Sequence, residues 1–543
     1  MSGVLTAGRE AYARTISLEM GKPLPEALAE IDKCVTTLDH YAGVAHTLLA
    51  DGPVHSNATE SVIVYDPLGV VLAIMPWNYP FWQFFRFAAP ALAAGNGTIL
   101  KHAGNVPQSA LAIEEIARLA GAPVGLVQTV MVESDRVASM IADARVSAVT
   151  LTGSTDVGRV VAAQAGAALK KQVLELGGSD PFIVLVDADV PAAAAAGVRA
   201  RFTNGGQSCV NAKRFIVDQR VADDFVAEFV LAAGRLRLGN PLADRTSIGP
   251  MARADLRTEL HRQVRHTVEA GATLVLGGRV TPGPGFYYPP TVIDNVQPGQ
   301  AAFSEETFGP VAAIIRVADT AEALKVANDT PFGLGAALWT SDVSAARRLA
   351  RELDAGAVFI NGVVASDPRL PFGGIKDSGY GRELGSQGLR EFVNVKTVWV
   401  GPAVDGAAAS AFSSRVMTPS ELPTIDRGNG ASTIPLVTAA IGATGFLNGL
   451  TTFVPGAAIG HHSHNCAESV VVVEGDAVVD IDGVETALSR FDTTFVPAGI
   501  PHHFRNASTT NPMRILWTYG STDATRTLAA TGVTGRIDGE HRG

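Results

Sequence analysis

Apolar and polar positions follow two different patterns in two parts of the chain. From about residue 60 to 185, apolar runs at 70–74, 98–101, 129–132 and 148–151 alternate with stretches of helical periodicity such as 107–119. Ser134 is predicted to be the N-cap of a further helix. This alternation is typical of a parallel sheet with crossover helices. Further alternation over residues 180–377 predicts a second α/β lobe.

The pattern changes after Val400. Residues 401–410 are rich in Gly, Ala and Pro and predict a linker. Beyond them, short apolar runs such as 469–473 and 477–481 alternate with Gly and Asp turns, and helical periodicity is scarce. The carboxyl-terminal region is therefore predicted to be a small all-β barrel or sandwich.

Composition narrows the class of protein and its partners. A chain of 543 residues suits about three or four domains, and 47% hydrophobic with 18% charged residues is ordinary for a globular protein. The net charge of −10 argues against nucleic acid or an anionic membrane as a partner. Three scattered cysteines do not make a disulfide framework, and the amino-terminal segment lacks a signal-peptide pattern. We therefore expect a cytoplasmic protein.

One cysteine lies in a setting that suits catalysis. Cys209 ends the segment FTNGGQSC, and Glu175 lies upstream within LELGG. A thiolate is a strong nucleophile, and a carboxylate can deliver water to whatever the thiolate captures. An isolated cysteine in a small-residue loop is more often inert packing, so its surroundings decide the matter.

A glycine-containing turn follows the predicted strand 148–151. Gly153 and Gly158 flank the point where the next helix begins. Glycines there let a phosphate approach the backbone amides of the helix N-terminus. Because the usual Gly-x-Gly-x-x-Gly pattern is absent, a tight turn with glycines for steric reasons explains this segment about as well.

Seven short motifs follow one another in a characteristic order: EMGKP from residue 19, PWN from 76, TGS from 152, LELGG from 174, GQSC from 206, EETFGP from 305 and PFGG from 371. In their order and spacing, residues 10–400 resemble the aldehyde dehydrogenase superfamily. The resemblance implies an α/β fold with a Rossmann-like cofactor domain, an α/β catalytic domain and a β-arm. The matched stretch starts within the early helical region of the family, without its opening strands.

The resemblance also implies roles for single residues. Cys209 would attack the aldehyde carbonyl, while the Asn78 amide and the Cys209 backbone N–H stabilise the oxyanion. Hydride would pass to NAD or NADP, and Glu175 would activate the water that hydrolyses the thioester. The implied cofactor-binding residues are Trp77, Lys101, Gly153, Ser154, Gly158, Glu306 and Phe308. Transfer of the thioester to coenzyme A is an alternative that Glu175 disfavours.

Further segments, WNYPFWQ from residue 77, KHA from 101, LGGSDPF from 176, ING from 360 and ASD from 365, resemble bacterial succinate-semialdehyde dehydrogenases within the superfamily. Arg86 matches an arginine that faces the thiol in related enzymes, and Ser366 would add a hydrogen bond to the same substrate carboxylate. A structural salt bridge is the alternative explanation for Arg86. Thr203 stands where some of these enzymes have a second arginine. Gly104 stands where NAD-preferring members have Glu, which leaves room for the 2′-phosphate of NADP.

The resemblance divides the chain into predicted domains: NAD(P)-binding at 1–48 and 67–177, catalytic at 178–377, an oligomerisation arm at 49–66 and 390–400, a linker at 401–430 and a β domain at 431–530. The arm implies a homodimer or homotetramer. The other expected partner is a small-molecule aldehyde, with no nucleic acid and no membrane.

The carboxyl-terminal region carries a set of metal-ligating residues. His462 and His464 are two positions apart on a predicted strand and so face one side, and Glu468 and His502 follow. With the flanking glycines this set resembles a cupin, which implies one divalent metal of unknown identity bound by these four residues. Phe491 stands where the second cupin motif has glycine, so we expect an altered turn there. His461 and His503 are outward neighbours or spare ligands.

The sequence thus predicts a two-part enzyme, an NAD(P)-dependent aldehyde dehydrogenase fused to a metal-binding cupin. One alternative makes the cupin a metal-dependent oxygenase or isomerase that acts on a linked metabolite. Another makes it a non-catalytic ligand-binding or oligomerising module.

Overall fold

A computed structural model describes residues 1–54, 56–401 and 415–537. The chain forms two compact units. The first is built from Met1–Val54 and Ser61–Val398, and the second from residues 55–60 and from Trp399 onward. Within the described residues, no helix is long and apolar enough to cross a lipid bilayer.

The helices lie in the first unit. Their amphipathic or wholly apolar sequences pack them around two central sheets. They are α1 (Ser2–Ala7), α2 (Arg9–Met20), α3 (Leu24–Leu48), α4 (Trp82–Ala93), α5 (Pro107–Leu119), α6 (Val137–Ala142), α7 (Thr155–Ala167), α8 (Val190–Phe202), α9 (Ala222–Ala233), α10 (Ala254–Glu269), α11 (Ala301–Ser304), α12 (Thr320–Asn328), α13 (Val343–Leu349) and α14 (Gly385–Arg390).

The strands of the first unit build one sheet for each half of the α/β region and two smaller sheets. They are β1 (Gly52–Pro53), β2 (Glu60–Pro67), β3 (Val70–Met75), β4 (Gly97–His102), β5 (Val127–Thr129), β6 (Val146–Thr152), β7 (Lys171–Glu175), β8 (Asp180–Val184), β9 (Ala212–Asp218), β10 (Thr273–Leu276), β11 (Thr291–Asp294), β12 (Val311–Val317), β13 (Phe332–Gly333), β14 (Gly335–Trp339), β15 (Ala357–Ile360), β16 (Ile375–Lys376), β17 (Gly379–Tyr380) and β18 (Val393–Val400).

The first α/β sheet has the order β17-β7-β6-β3-β4-β5. Its strands are parallel except for β17. The chain order reverses beside β3, because β4 lies on one side of it and β6 on the other. Ligands of open parallel sheets bind at such a switch point, outside the carboxyl ends of the strands. Asn78 follows β3 and Ser154 follows β6, so the sheet brings both to that edge.

The second α/β sheet has the order β10-β11-β12-β9-β8-β14-β15, with β10 antiparallel to β11. β8 and β9 are buried along their whole length, as expected for strands covered by helices on both faces. α8 connects them, and Cys209 lies between the end of α8 and the start of β9. The loop that carries Cys209 is therefore anchored on both sides by rigid elements.

β1, β2 and β18 form a small separate sheet with β18 at one edge. Val395, Val398 and Trp399 on β18 are exposed. An apolar edge strand is a common site of pairing between chains.

The second unit is built of β-strands, apart from short 3-10 turns, over its described residues. They are β19 (Ile425–Gly428), β20 (Ala431–Val437), β21 (Leu447–Phe453), β22 (His462–His464), β23 (Glu468–Glu474), β24 (Ala477–Ile481), β25 (Val484–Leu488), β26 (Thr493–Val496), β27 (His502–Asn506), β28 (Met513–Tyr519), β29 (Thr525–Leu528) and β30 (Thr534–Arg536).

These strands form two antiparallel sheets, ordered β19-β20-β21-β28-β23-β26 and β25-β24-β27-β22-β29-β30. Buried and less buried residues alternate along β21 and β28, the pattern of strands with one face in a core. The core includes Phe453, Met513 and Trp517. This arrangement matches the predicted all-β barrel.

The structure corrects three local predictions. The predicted strand 129–132 is wrong, because pairing with β4 ends at the Val130 N–H and Met131 and Val132 are exposed at the sheet edge. Ser134 is not an N-cap, since it lies inside a short 3-10 turn without a capping bond. Pairing of β19 with β20 starts the β region at Ile425, inside the predicted linker, of which residues 402–414 lie outside the described chain.

Candidate active site and metal centre

The loop that carries Cys209 has a backbone that few residues can adopt. Asn204, Gly205 and Gly206 all have positive φ, and a Cβ at Gly206 would collide with the Gly309 carbonyl. Glycine tolerates this conformation without steric cost. The Asn-Gly-Gly sequence thus turns the chain sharply at the end of α8 and aims the following residues into the site.

Side-chain hydrogen bonds hold this loop in place. The Lys213 Nζ donates to the carbonyls of Ser208 and Cys209 at 3.0 and 2.8 Å. The Asn204 side-chain amide donates to the Asn78 carbonyl at 2.9 Å. Through that bond the loop after α8 is tied to the segment after β3, which belongs to the other sheet.

Two cavities in the first unit are lined by Cys209. The smaller, of about 220 Å³, is also lined by Trp77, Asn78, Gly153, Ser154, Glu306 and Phe308. The larger, of about 410 Å³, is also lined by Lys33, Trp82, Arg86, Thr203 and Ser366. The thiol therefore has predicted cofactor-binding residues on one side and predicted substrate-binding residues on the other.

Burial controls the protonation of the two groups expected to react. Burial raises the pKa of the Cys209 thiol to about 11, against the pull of Arg86 and Lys213. Burial also raises the pKa of Glu175 to about 8, opposed by Arg86 and assisted by Glu383. Neither Glu175 carboxylate oxygen has a hydrogen-bond partner among the described residues. A buried carboxylate of this kind is suited to accept a proton near neutral pH.

Asn78 is placed as an oxyanion donor would be. It is buried, lines the smaller cavity together with Cys209, and its Nδ2 donates to the Gln207 carbonyl at 3.1 Å. That bond fixes the orientation of the amide and uses only one of its two N–H groups.

The predicted cofactor residues divide into two groups. Trp77, Gly153, Ser154, Glu306 and Phe308 line the smaller cavity, whereas Lys101 and Gly158 are not among its lining residues. Lys101 donates to the carbonyl of its neighbour His102, and Gly158 lies in α7 where a Cβ would clash with Leu176.

The residues present fit a nicotinamide dinucleotide. The Trp77 and Phe308 rings meet edge to face at 5.8 Å and form an apolar wall. Ser154 caps α7, whose N-terminus suits a phosphate. The Glu306 carboxylate accepts from the Gly178 N–H at 3.0 Å and lies 3.3 Å from the Lys213 Nζ, so it is oriented to receive ribose hydroxyls.

Arg86 forms a structural salt bridge with Glu383, which was the alternative to a role in substrate binding. Its Nε pairs with Glu383, its Nη2 lies 3.3 Å from the Thr152 hydroxyl, and its guanidinium stacks over Phe372. The side chain is only 2% exposed, although it lines the larger cavity. Much of its charge is therefore already compensated by Glu383.

A second cation in the larger cavity was missed by sequence reasoning. The Lys33 Nζ donates to the Ser366 hydroxyl at 2.7 Å and lies 4.3 Å from the centre of the Trp82 ring. Burial, with the nearby charge of Arg86, lowers the pKa of Lys33 to about 8. Over the described residues Lys33 makes no ion pair within 4 Å. Arg199 also lines this cavity without such an ion pair among the described residues, but it is exposed, whereas Lys33 is half-buried beside Ser366.

The sequence did carry a signal for Lys33. Glu26, Glu30 and Lys33 recur at positions i, i+4 and i+7 of α3, which places three charges on one face of a packed helix. The Glu30 carboxylate pairs with Lys22, and burial raises the pKa of Glu26 to about 7. A run of charges on a buried helix face is unusual enough to mark a polar site.

In the second unit, three histidines point their Nε2 atoms at one another. The Nδ1 atoms of His462, His464 and His502 bond to the carbonyls of Gly460, Thr525 and Ile500 at 2.7, 2.9 and 2.9 Å. Backbone carbonyls of this kind fix the tautomer of metal-ligating histidines. The His464 Nε2 is buried without a hydrogen-bond partner among the described residues.

The predicted fourth ligand is present at the same centre. The Glu468 Oε2 lies 2.7 Å from the His502 Nε2 and 3.7 Å from the His464 Nε2. Burial and the neighbouring His502 lower the pKa of His462 to about 2, so its imidazole is neutral and able to bind a metal. The donor set of three nitrogens and one carboxylate fits a divalent transition metal.

The cavity at this centre is small. Its volume is about 30 Å³, with Arg427, Arg526 and Tyr519 among its lining residues. The turn at Phe491, where the second cupin motif has glycine, differs in residue type but keeps a left-handed backbone. Phe491 adopts the φ of 76° that glycine normally takes. Its ring is 67% exposed, so this position makes little use of the side chain for packing.

Comparisons with known proteins support both parts of the prediction. The model of the aldehyde dehydrogenase family matches residues 1–398, and that of the cupin domain matches residues 449–519. Together with the sheets described above, these matches confirm the predicted families and fold classes.

Curated relatives are similar over most of the first unit. A probable succinate-semialdehyde dehydrogenase [NADP(+)] from Synechocystis sp. is 51% identical over 397 residues, which cover 73% of this chain and 87% of that protein. The succinate semialdehyde dehydrogenase [NAD(P)+] Sad of Escherichia coli is 51% identical, covering 73% and 86% of the two chains. A succinic semialdehyde dehydrogenase from Streptococcus pyogenes, crystallised with NADP+, aligns with a TM-score of 0.72 at 37% identity, covering 74% and 88%.

Proposed function

Because the chain belongs to the aldehyde dehydrogenase family, we propose that its Cys209 site oxidises a semialdehyde that carries a distal carboxylate, such as succinate semialdehyde. The family and its relatives at about half identity make the chain an NAD(P)-dependent aldehyde dehydrogenase of the succinate-semialdehyde type. The substrate, the residue roles and the preferred cofactor are the finer parts of the proposal.

The acylation half of the reaction uses Cys209 and Asn78. Because its pKa of about 11 keeps the Cys209 thiol protonated at neutral pH, the thiol first gives its proton to solvent water. The thiolate then attacks the aldehyde carbon, and the oxyanion that forms is stabilised by the second N–H of the Asn78 amide and the Cys209 backbone N–H. The residues that line the smaller cavity would hold NAD(P)+, which would supply the acceptor for the aldehyde hydrogen as hydride. The result on the protein is a thioester at Cys209.

The hydrolytic half uses Glu175. Its carboxylate takes a proton from water as the water attacks the thioester, which releases the acid and restores Cys209. A pKa of about 8 gives a base strong enough for this step and still partly ionised at neutral pH. Arg86 supports the step by placing a positive charge near both Glu175 and Cys209.

NADP+ is proposed as the preferred cofactor. A Cβ at Gly104 would have no neighbouring atom within 4 Å, so the position offers open space where NAD-preferring members have a carboxylate. A missing carboxylate removes both steric and electrostatic repulsion of a 2′-phosphate. The residues that would hold the rest of the cofactor are Trp77, Ser154, Glu306 and Phe308.

The contact between Lys33 and Ser366 carries the substrate proposal. Both residues line the cavity that ends at Cys209, and their bond of 2.7 Å places an ammonium and a hydroxyl side by side. A substrate carboxylate would accept from both and would match the charge of Lys33. Thr203 supplies no charge at the position of a second arginine, and Arg199 is exposed to solvent. The half-buried Lys33 is therefore proposed as the main anchor, with Arg86 as a supporting charge.

Substitution of Lys33 tests this proposal. We expect Lys33→Met to raise KM for succinate semialdehyde about 10- to 100-fold, the value of one charge-assisted hydrogen-bonded pair, with a much smaller change in kcat. KM for butanal, which has the same carbon chain without the carboxylate, should not rise. Lys33→Arg should restore most of the loss, and Lys325→Met on exposed α12 is the matched control.

An equal rise in KM for both aldehydes would show that Lys33 only shapes the cavity. An unchanged KM for succinate semialdehyde would assign its carboxylate to Arg86, to Arg199 or to no single cation, and the Lys33 anchor would be wrong.

For the second unit we propose one divalent metal held by His462, His464, His502 and Glu468. The three inward Nε2 atoms support this proposal, since each histidine is already oriented by a backbone carbonyl. A cavity of about 30 Å³ suits a metal with one or two waters better than an organic substrate, which needs some hundreds of Å³. The non-catalytic alternative for the cupin is therefore favoured over an oxygenase or isomerase.

Assembly of the chain into a homodimer or homotetramer stays a prediction. The metal content of the protein tests the ion proposed for the cupin. The exposed apolar residues of β18 support pairing through the predicted arm.

A further inference from the structure

A second group of metal-ligating side chains lies on the outer face of the cupin sheet. It consists of His461, Asp480 and His503, which we call the outer triad. The Nε2 of His461 lies 2.8 Å from the Nδ1 of His503 and 3.4 Å from the Oδ2 of Asp480. All three potential ligand atoms lie within 4.8 Å of one another.

Strand register places these residues in one row. β24, β27 and β22 are neighbours in the sheet, and Asp480 is paired directly with His503. His462 is paired with His502 in an antiparallel register, so the next row brings His461 opposite His503. The outer triad is thus a direct consequence of the pairing that brings the inner histidines together.

Alternation along the strands gives the two groups opposite faces. His462 and His502 point into the barrel, and residues next to them in sequence point outward. The side chain of His461 is 45% exposed and that of Asp480 15% exposed. The outer triad therefore opens to solvent, separate from the buried inner site.

The spacing of the donor atoms suits a metal as well as a hydrogen bond. Ligand atoms on a tetrahedral zinc, each bound at about 2.0–2.2 Å, lie about 3.4 Å from one another. Two of the three donor distances in the outer triad, 2.8 and 3.4 Å, lie close to this value, and the third is within 4.8 Å. The Gly483 N–H donates to the Asp480 Oδ1 at 2.9 Å, which orients the carboxylate and leaves Oδ2 for the metal.

The surrounding charges favour a cation. Glu485 is paired with Asp480 across the next strand and extends the row with a second carboxylate. Arg505 lies 3.2 Å from Glu485 and offsets one of these charges, which leaves Asp480 to face the two imidazoles. Two nitrogens and one carboxylate, with open positions toward water, suit zinc and its neighbours in the first transition row.

We propose that the outer triad binds one borderline divalent cation such as Zn²⁺, in addition to the ion of the inner site. Water completes its coordination on the exposed side. The bound ion links β24, β27 and the residue just before β22, in the sheet that also carries His462, His464 and His502. This site goes beyond the proposed oxidation and does not depend on it.

Metal stoichiometry of the full, untagged chain tests the proposal. After removal of metal with a chelator, the protein is titrated with Zn²⁺ alone and its metal content is measured by elemental analysis after gel filtration. The wild type should take up two equivalents per chain. His461→Gln and Asp480→Asn should each bind one equivalent, or bind the second at least about 10-fold more weakly.

Matched variants separate the two sites. His464→Gln removes a ligand of the inner site only and should also bind one equivalent, and its combination with His461→Gln should bind none. His266→Gln, an exposed histidine of α10, should keep two equivalents. Asp480→Asn keeps the acceptor for the Gly483 N–H, so loss of its metal cannot be assigned to loss of the turn.

Two results would overturn the outer site. One is a wild type that binds a single equivalent, which His464→Gln abolishes. The other is retention of two equivalents by both His461→Gln and Asp480→Asn.

Thermal unfolding with and without Zn²⁺ gives an independent readout of the outer site, since ions that bind the native state raise the melting temperature. In the His464→Gln background, Zn²⁺ should still raise the melting temperature, and the added His461→Gln change should remove that effect.

Discussion

The Cys209 site and the inner histidine site of the cupin both gather reactive side chains, but they surround them differently. Cys209 lies where cavities of about 220 and 410 Å³ meet, whereas the inner histidines face a space of about 30 Å³. Space for two organic molecules accompanies the thiol, and space for little more than an ion accompanies the imidazoles. Donor atoms alone thus show what chemistry is available, and the volume beside them shows what can enter.

The two sites also differ in how burial is used. Glu175 is buried with both oxygens lacking a hydrogen-bond partner in the described chain, and this raises its pKa and prepares it to accept a proton. Each inner histidine is buried too, but its Nδ1 is bound to a backbone carbonyl and only Nε2 remains available. An unsatisfied buried group suits proton transfer, while a partly satisfied one suits fixed ligation.

Replacement of the nucleophile should give the largest effect and separate the two sites completely. We expect Cys209→Ser to lower kcat for succinate semialdehyde at least about 1000-fold, because a hydroxyl at this buried position is a far weaker nucleophile than a thiol. Its metal content should equal that of the wild type, since no metal-ligating residue is touched. A Cys209→Ser enzyme that retains a substantial rate would remove the thiol from the mechanism.

Replacement of the base comes next in size. Glu175→Gln should leave a burst of reduced cofactor close to one per site and slow the steady rate about 100-fold or more, since hydrolysis loses its base. In the wild type, kcat should rise with pH through about 8, where Glu175 loses its proton beside Arg86, Arg382 and Glu383. That rise should be absent in the variant. A steady rate without a burst, or an unchanged pH profile, would refute this role of Glu175.

Loss of the inner ligands should change metal binding without changing oxidation. The double variant His462→Ala/His464→Ala should lose the inner ion, while kcat/KM for succinate semialdehyde stays within about twofold, because each unit encloses its own site and core. Native mass measurement of the same variant checks assembly. A parallel fall in oxidation and metal content would mean that the cupin regulates the dehydrogenase.

The smallest expected effect concerns the altered cupin turn. Phe491→Gly should stabilise the second unit by about 0.5–1 kcal/mol, because glycine relieves the strain of a left-handed backbone that Phe491 now adopts. Phe495 on β26 is equally exposed but lies in a strand, so Phe495→Gly should destabilise the protein. Thermal unfolding compares the two variants, and a loss of stability in both would show that the Phe491 ring contributes packing.

Much of the fold and both reactive centres could be predicted because they rest on local patterns. Strand alternation places His462 and His464 on one face. Short motifs single out Cys209, Glu175 and Asn78, of which Cys209 and Asn78 line one cavity and Glu175 lines neither cavity at the thiol. Ser154 likewise falls at the start of a helix that follows a buried strand, and the structure makes it the N-cap of α7.

Features that depend on the meeting of distant segments could not be predicted in the same way. Lys33 becomes part of the larger cavity through its contacts with Ser366 and Trp82, which come from other parts of the chain. Arg86 lines the predicted cavity, yet Glu383, far along the chain, compensates its charge. The strand expected at 129–132 ended early because the edge of a sheet is set by its neighbour β4 rather than by local hydrophobicity.

The central claim is that the Cys209 site recognises a carboxylated aldehyde and works independently of the cupin metal. Initial rates of cofactor reduction with succinate semialdehyde and butanal, with NADP+ and NAD+, before and after chelation, test it most directly. We predict a kcat/KM at least about 100-fold higher for succinate semialdehyde, faster reaction with NADP+, and no change on chelation. Equal kcat/KM values for the two aldehydes, or loss of the rate with the metal, would contradict the account.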